Sequence, residues 1–322
     1  MNSVLEKTAD KVMQLGGFHE VSLEKTVELA LQYSAEYIEE NFGQLDSARM
    51  QYLFGRNVEE LRFLIEELWN ELSVSEFAPS LFEVGFGDGE QMPAVKIDGA
   101  CIPAKMRGFV DRVDQWNDGH NNYFRVVDYK SGKKSFDYCD VFNGMGLQML
   151  LYMYALEQNG EGIMGEHPLP VGVQYFSARF PFENGSSSMD AEQAAAERGK
   201  LLKRKGLLLQ DEAVLRAMQP EGAPERLSVK IKKGAISGDC ADRVQFGMLK
   251  KYVFHILRDL IKQIDSGVVS PNPYTRGGFG ACSYCPYGSI CHKATVEGRR
   301  DYKTMDAGRF WAEVAKEVEG HG

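Results

Sequence analysis

Hydrophobic and polar positions follow two different periods along the chain, and the change of period separates helical from strand-forming regions. From the N-terminus to about residue 72, apolar side chains recur at helical spacing, as at Val27 and Leu31. Near Leu81 the pattern changes to short apolar runs closed by glycine and turn residues, which are typical of strands. The pattern therefore predicts a helical N-terminal segment over residues 1–75, followed by a sheet.

Three successive runs predict a hairpin-like set of strands: LFEVGFG, then IPAKMRGFVDRVDQW, then NYFRVVDYKSG, the last two joined by the turn-rich NDGHNN. The segment NGMGLQMLLYMYALEQNG predicts a helix between two Asn-Gly pairs, and PVGVQYFSARF predicts a further strand. Beyond them we expect two helices separated by the basic sequence KRKG over residues 189–219, a short strand pair in RLSVKIKKGAI, a long amphipathic helix over 242–266, and a last helix with Phe310, Trp311, Val314 and Val318 on one stripe.

These elements predict an α/β fold in which helices flank a mixed central sheet. We expect the core to cover residues 76–270, with a helical insertion near 189–225. Residues 271–322 should form a Cys-rich loop and a C-terminal helix. The fold would thus carry helical additions at both ends.

Composition limits the classes of function. The chain has 322 residues and a formal net charge of −9, which excludes a uniformly basic nucleic-acid-binding surface. The N-terminal MNSVLEKTAD carries early charges and no apolar core, unlike a signal peptide. The apolar run from Met145 to Leu156 is too short to cross a bilayer. We therefore predict a soluble, cytoplasmic protein without membrane partners.

Charged residues stand in two strands that should be largely apolar. Asp111 lies in RGFVDRVDQW, and Asp128 and Lys130 lie in RVVDYKSG. Charged side chains are almost never fully buried unless they are paired or bind a ligand. Because side chains alternate across a strand, Asp128 and Lys130 share one face, and Asp111 can meet Asp128 if the strands are antiparallel neighbours.

Two carboxylates in contact favour a bound divalent cation. Without a cation they repel each other and one takes up a proton, whereas Mg²⁺ accepts one or two carboxylates and keeps several waters. Lys130 would then lie beside a metal-bound water, which it could orient or deprotonate. The alternative is a structural ion-pair network that joins Asp111 to Lys130 and Arg112 to Asp114.

The helix after these strands carries two polar groups on one face, because Gln148 and Tyr152 are four residues apart. Together with G-x-x-D-R-x-D at Gly108–Asp114 and D-Y-K at Asp128–Lys130, they form an ordered set of motifs. This set resembles the RecB-type branch of the PD-(D/E)XK nucleases, in particular the C-terminal nuclease domain of AddB-type helicase–nuclease subunits.

The resemblance implies a restriction-endonuclease-like PD-(D/E)XK core and hydrolysis of DNA phosphodiester bonds with Mg²⁺ or Mn²⁺, favouring the exonuclease type. It implies single-stranded DNA or unwound duplex ends as substrate, an AddA-type helicase subunit as partner, and a role in double-strand-break repair and recombination. The residues to which it assigns roles are Asp111, Asp128, Tyr129 (backbone carbonyl) and, more weakly, Glu83 as metal ligands, Lys130 as the catalytic lysine, and Gln148 and Tyr152 as positioning groups.

Three cysteines near the C-terminus, Cys282, Cys285 and Cys291, follow the spacing C-x₂-C-x₅-C. Thiolates this close in sequence suit zinc or an iron–sulfur cluster. His292 could complete a zinc site only with awkward geometry. In the AddB-type proteins, and in small CRISPR-associated nucleases that they resemble, three such cysteines join one upstream cysteine to hold a [4Fe–4S] cluster. The remaining cysteines are expected to be buried apolar residues: Cys101, Cys139 and Cys240.

No cysteine precedes Cys101, so we expect the chain to be a C-terminal piece or a truncated product whose first cluster cysteine lies before Met1. Without that cysteine, the three others would bind zinc or nothing. Ser3 and Glu6 match a capping box, which instead favours a genuine helix start. The resembling proteins often carry a histidine near the position of Asn2 as an auxiliary metal ligand, and its absence bears on metal occupancy.

Basic residues cluster in two short stretches that could follow a phosphate backbone, although such runs are more often solvated surface. The weak DNA-binding candidates are Lys200, Lys203, Arg204, Lys205, Lys230 and Lys232. No G-x-x-x-x-G-K-[ST] is present, so an ATP-driven motor would belong to another polypeptide. Two other functions stay open: a catalytically degenerate DNA-binding scaffold with a zinc or iron–sulfur site, and a stand-alone CRISPR- or phage-type RecB-family nuclease.

Overall fold

The chain is divided into two units, which are described separately. A computed structural model describes residues 2–43, 47–130, 132, 134–178, 199–270, 272–277, 279–291, 300–302 and 304–320. The first unit comprises Met1–Val95, Arg107–Phe136 and Met149–Arg243, and the second comprises Lys96–Met106, Asp137–Gln148 and Val244–Gly322.

Helices occupy the N-terminal region, as the apolar spacing predicts. Ser22 and Ser47 cap the second and third helices by accepting hydrogen bonds from backbone N–H groups in the first turn. Ser3 and Glu6 both lie inside the first helix, so the capping box predicted from their spacing is wrong. In chain order, the helices of the described residues are α1 (Asn2–Gln14), α2 (Leu23–Phe42), α3 (Ala48–Leu72), α4 (Tyr138–Phe142), α5 (Gln148–Asn159), α6 (Glu161–Met164), α7 (Glu212–Met218), α8 (Arg243–Asp265), α9 (Gly288–Cys291) and α10 (Ala307–Gly320).

A mixed six-stranded sheet forms the centre of the first unit, with the strand order β1-β4-β5-β6-β7-β10. Strand β5 runs antiparallel to β4 and parallel to β6, and β7 is antiparallel to β6. This sheet confirms the predicted α/β fold. The strands up to β10 are β1 (Ala78–Phe86), β2 (Val95–Lys96), β3 (Lys105–Met106), β4 (Gly108–Asn117), β5 (Asn122–Lys130), β6 (Pro168–Ser177), β7 (Lys205–Leu209), β8 (Val229–Lys232), β9 (Ala235–Gly238) and β10 (Cys240–Ala241).

The hairpin of β4 and β5 fixes the register of the central strands. Asn117 pairs with Asn122 at its closed end, and Asp118 accepts hydrogen bonds from the backbone N–H groups of His120 and Asn121. These bonds to its charged form lower the pKa of Asp118 to about 2. The turn thereby sets which residues of the two strands stand opposite each other along their length.

The N-terminal helices cover one face of the sheet. Their apolar residues form one buried cluster with Val127 and Tyr129 of β5 and Phe176 of β6. Strand β5 is buried along nearly all of its length, as expected for a central strand that has neighbours on both edges.

One prediction for the region after β6 is wrong in part. The basic sequence KRKG is not a simple break between two helices, because residues Lys205–Leu209 form β7 and pair with β6. Gly206 permits this pairing, because a Cβ atom there would collide with the backbone carbonyl of Val173. The short run Gly206–Leu209 fits either period, which is why the sequence pattern fails here. The second predicted helix is present as α7, whereas most of the first falls at 179–198, outside the described residues.

The second unit is built around an aromatic cluster. Phe310 of α10 is fully buried, and its ring lies 5.0 Å from that of Tyr138 and 4.9 Å from that of Trp311. Strands β11 (Tyr274–Arg276), β12 (Phe279–Gly280) and β13 (Arg300–Asp301) form a small sheet with the order β12-β11-β13. Among the described residues, no helix combines the length and apolar character needed to span a membrane.

Candidate active site

The adjacent strands β4 and β5 bring two carboxylates together. Arg112 pairs with Val127, and in the same antiparallel register Asp111 falls opposite Asp128. The two carboxyl groups interact, and Nζ of Lys130 lies 2.7 Å from Oδ2 of Asp128. The structure therefore gathers Asp111, Asp128 and Lys130 at one place, which is the arrangement expected from side-chain alternation.

The electrostatic environment of Asp111 disfavours its charged form. Partial burial raises the pKa of Asp111, and the negative charge of Asp128 raises it further. In the opposite direction, the backbone N–H of Tyr129 donates a 3.1 Å hydrogen bond to Oδ2 of Asp111, and Lys130 adds positive charge. The pKa of Asp111 nevertheless stays above its ordinary value, so the two carboxylates are in a conflict that a cation would relieve.

A third carboxylate belongs to the same row of residues across the sheet. With Phe82 paired to Arg112 and Val84 to Val110, Glu83 falls opposite Asp111. Its φ angle of 45° is in the left-handed region, which is uncommon for residues other than glycine. Such a backbone conformation changes the direction of the side chain, and the Glu83 carboxyl contacts α1.

Glu6 of α1 is the partner of Glu83 and is a site residue that sequence reasoning missed. Its side chain is buried and hydrogen-bonds to Glu83. Burial raises the pKa of Glu6 to about 8, with further contributions from the hydrogen bond and charge of Glu83 and the charge of Asp111. One signal was available, because a glutamate that directly follows two buried apolar residues, Val4 and Leu5, needs a polar partner.

The donors at this site suit a hard divalent cation. Asp111 and Asp128 offer carboxylate oxygens, and Mg²⁺ binds through one or two carboxylates while keeping several waters. Within the described part of the chain, no group of three or more His, Cys, Asp or Glu side chains is close enough to hold a metal ion. Of the side chains described, a cation here would thus depend first on the two carboxylates, with water completing its shell.

Helix α5 contributes Tyr152 next to the start of β4. The ring of Tyr152 packs edge-on against Phe86 at 5.8 Å, and a Cβ atom on Gly108 would approach Cε1 of Tyr152 to 2.8 Å. The glycine that opens the G-x-x-D-R-x-D motif therefore lets α5 lie close to the sheet. Gln148 is the first residue of α5, one helical turn before Tyr152.

The three C-terminal cysteines lie in the second unit on short elements. Cys282 is in the 3₁₀ turn Ala281–Ser283, Cys285 follows it, and Cys291 ends α9. Cys285 and Cys291 are exposed. The structure does not gather the three into a metal centre in its described residues, and His292 lies outside them.

The three isolated cysteines, which we expect to be buried, differ in their exposure to solvent. Cys139 is buried, and its sulfur lies 2.9 Å from the backbone nitrogen of Met305. Cys240 is partly buried. Cys101 is exposed, so the prediction is wrong for this residue.

The predicted DNA-binding basic residues have different environments. Arg204 is buried, its Nε lies 2.7 Å from Oε2 of Glu71, and its guanidinium stacks over Phe176. A buried, paired arginine cannot reach a phosphate backbone, so the prediction for Arg204 is wrong. Lys203 pairs with Glu225 at 2.9 Å, and the pKa of this glutamate is lowered first by Lys203 and then by two further lysines. The exposed candidates are Lys200, Lys205, Lys230 and Lys232.

A mixed sheet whose adjacent strands present Asp111 and the Asp128–Lys130 pair is the arrangement of a PD-(D/E)XK nuclease core. The sequence model of the PD-(D/E)XK nuclease superfamily matches residues 5–292. The chain therefore belongs to this superfamily.

Curated relatives are similar over most of this chain. It is 34% identical over 254 residues to a subunit of the ATP-dependent helicase/deoxyribonuclease of Acetivibrio thermocellus, covering 76% of the chain and 22% of that protein. It is 32% identical over 287 residues to the corresponding subunit from Thermoanaerobacter sp. (strain X514), covering 86% and 25%. The chain thus spans about a quarter of the length of these relatives.

Proposed function

We propose that this chain is a deoxyribonuclease module that hydrolyses DNA phosphodiester bonds with Mg²⁺ or Mn²⁺. The observation that carries the proposal is the contact between Asp111 and Asp128 on neighbouring strands, with Lys130 paired to Asp128 at 2.7 Å. Two carboxylates and an ammonium group at one place can hold a cation and act on a phosphate. Membership of the PD-(D/E)XK nuclease superfamily supports the same chemistry.

In this proposal each side chain has a separate role in hydrolysis. Asp111, Asp128 and the Tyr129 carbonyl hold the cation, with Glu83 as a further candidate ligand; when bound, the cation acidifies water and polarises the phosphate. Lys130 orients or deprotonates the attacking water and stabilises charge on the phosphate. The positioning groups of the proposal are Gln148 and Tyr152.

Cleavage of labelled single-stranded DNA in Mg²⁺ or Mn²⁺ tests the proposal. We expect wild type to cleave, and Asp128→Asn and Lys130→Ala to lose activity by at least about 100-fold, since each removes a group that acts in the reaction. Lys134→Ala is the matched control, because it removes an exposed lysine from the same segment without touching the carboxylates. Linear and circular substrates compared side by side test the exonuclease type, which requires a free end.

Two results would contradict the proposal. One is cleavage that persists unchanged in both site variants, which would point to a contaminating nuclease or another site. The other is a wild-type protein that retains DNA without cleaving it, as a catalytically degenerate scaffold would.

We further propose that the module works with a helicase, on single strands or unwound duplex ends, during double-strand-break repair. The support is that the similar relatives are subunits of ATP-dependent helicase/deoxyribonucleases. An AddA-type helicase subunit is the expected partner. Copurification of this chain with a tagged AddA-type subunit from the same organism tests this, and failure to associate would reject it.

For the cysteines we propose that Cys282, Cys285 and Cys291 are ligands of a [4Fe–4S] cluster. The support is their spacing, because three thiolates this close suit such a cluster. Iron, sulfide and zinc are measured in anaerobically purified protein. Zinc in place of iron, or neither metal, would contradict the proposal.

A further inference from the structure

Several charged side chains of β4 and β5 are buried in the interior of the first unit. Arg112, Asp114 and Arg125 have no solvent-exposed side-chain surface. We call the group to which they belong the buried ion network, which comprises Glu71, Arg112, Asp114, Arg125, Tyr129, Gln174 and Arg204.

The contacts of this network are short. Arg112 places Nε 2.8 Å from Oδ1 of Asp114 and donates a 2.8 Å hydrogen bond from Nη1 to the hydroxyl of Tyr129. Arg125 lies between Asp114 and Glu71, with bonds of 2.9 Å to each. Replacing buried ion pairs by apolar residues is often neutral or stabilising, so stability alone is a weak reason for this network.

Two members of the network are chain neighbours of the carboxylates. Arg112 directly follows Asp111, and Tyr129 stands between Asp128 and Lys130. Because adjacent residues in a strand point to opposite faces, the network lies behind the strands while the carboxylates lie in front. Tyr129 connects the two sides, because its backbone N–H donates a hydrogen bond to Asp111 and its hydroxyl accepts one from Arg112.

From this geometry we propose that Arg112 and Tyr129 are positioning residues that set the spacing of the divalent-cation ligands from the reverse face of the sheet. The bond between them fixes the Tyr129 peptide, and through it the hydrogen bond to Asp111 and the direction of the carbonyl. This inference rests on the proposed function, because it assumes that the two carboxylates bind a cation.

Mn²⁺ binding, followed by the EPR signal of the free ion, tests the inference without requiring DNA cleavage. Tyr129→Phe removes the hydroxyl and keeps the ring, and Arg112→Met removes the donor. We expect each variant to bind Mn²⁺ about 10-fold more weakly, the loss typical when a group that orients a metal ligand is removed. Wild type should bind Mn²⁺, and Asp128→Asn should abolish binding at this site.

Two controls separate positioning from general loosening of the fold. Tyr123→Phe removes a hydroxyl that hydrogen-bonds to Asp118 at the far end of the same hairpin. Arg226→Gln breaks a two-bond pair with Glu67 of α3 that does not touch Tyr129. Both should destabilise the protein in urea without changing Mn²⁺ affinity.

The inference is overturned if Tyr129→Phe binds Mn²⁺ as wild type does, or if Arg226→Gln weakens binding equally at equal loss of stability. Absence of Mn²⁺ binding in wild type would overturn it as well. If wild type binds Mn²⁺ and the variants weaken binding as expected, but the protein cleaves no DNA, the inference stands and the proposed hydrolysis fails.

Discussion

Replacing Glu6 by glutamine should stabilise the metal-free protein at neutral and alkaline pH. Burial and the neighbouring Glu83 raise the pKa of Glu6 from 4.5 to about 8. Between these values the folded state keeps a proton that the unfolded chain releases, so the free energy of unfolding falls as pH rises from 4.5 to 8. Glutamine stays neutral throughout and can donate a hydrogen bond to Glu83.

The size of the effect follows from the pKa difference. A shift from 4.5 to about 8 sets an upper limit of about 5 kcal/mol on the penalty for charging Glu6 in the folded state. Glu83 is exposed, so solvent screens the pair, and we expect Glu6→Gln to gain about 1–2 kcal/mol at pH 8.5. Below pH 4.5 Glu6 is protonated in both states, and the variant should match wild type.

Urea unfolding in EDTA at pH 4.5, 7 and 8.5 measures this difference. Glu66→Gln is the matched control, because Glu66 is an exposed carboxylate of α3, and the gain of Glu6→Gln at pH 8.5 should exceed that of Glu66→Gln. The reasoning is refuted if Glu6→Gln destabilises the protein at pH 8.5, or if its gain is the same at all three pH values.

Three other substitutions test separate parts of the structure. Glu71→Gln should cost about 3–5 kcal/mol in urea unfolding, because it leaves two buried arginines short of a charge. Burial alone would raise the pKa of Glu71, but the arginines outweigh it and lower this pKa to about 2. The stability that Glu71 contributes is therefore complete above pH 4.5 and is lost toward pH 2. A contribution to the free energy of unfolding that stays constant over this pH range would contradict the reasoning. Gly108→Ala should displace Tyr152 and lower cleavage with little change in Mn²⁺ affinity, and unchanged cleavage would reject the packing argument. Phe310→Ala should cost about 3–5 kcal/mol and reduce the near-ultraviolet circular dichroism of Trp311, and a loss below about 1 kcal/mol would contradict the buried aromatic cluster.

The parts of the fold that the sequence predicts are those with long or strictly alternating patterns. Helices α1 to α3 and α8 follow from apolar spacing sustained over several turns. The contact between Asp111 and Asp128 follows from the alternation of side chains in two strands joined by a short turn. The turn leaves few possible registers for the antiparallel pair. Neither inference needs knowledge of distant residues.

The features that the sequence does not predict depend on distant partners. Arg204 stands in a basic run typical of a solvated surface, yet Glu71, far away in the chain, compensates its charge in the interior. Glu6 gains its role from its hydrogen bond with Glu83, which lies on a strand far along the chain. Local patterns contain no information about such pairings, because they arise only when the sheet and helices pack together.

The β4–β5 hairpin carries both carboxylates and the lysine, so one short, contiguous stretch encodes the charged centre of the device that we propose. Changes of length in the crossover from β5 to β6, or after β6, would leave its register intact. Such a device can be inherited as a unit while the surrounding segments diverge. Substrate choice and chemistry can therefore evolve at different rates in a protein built this way.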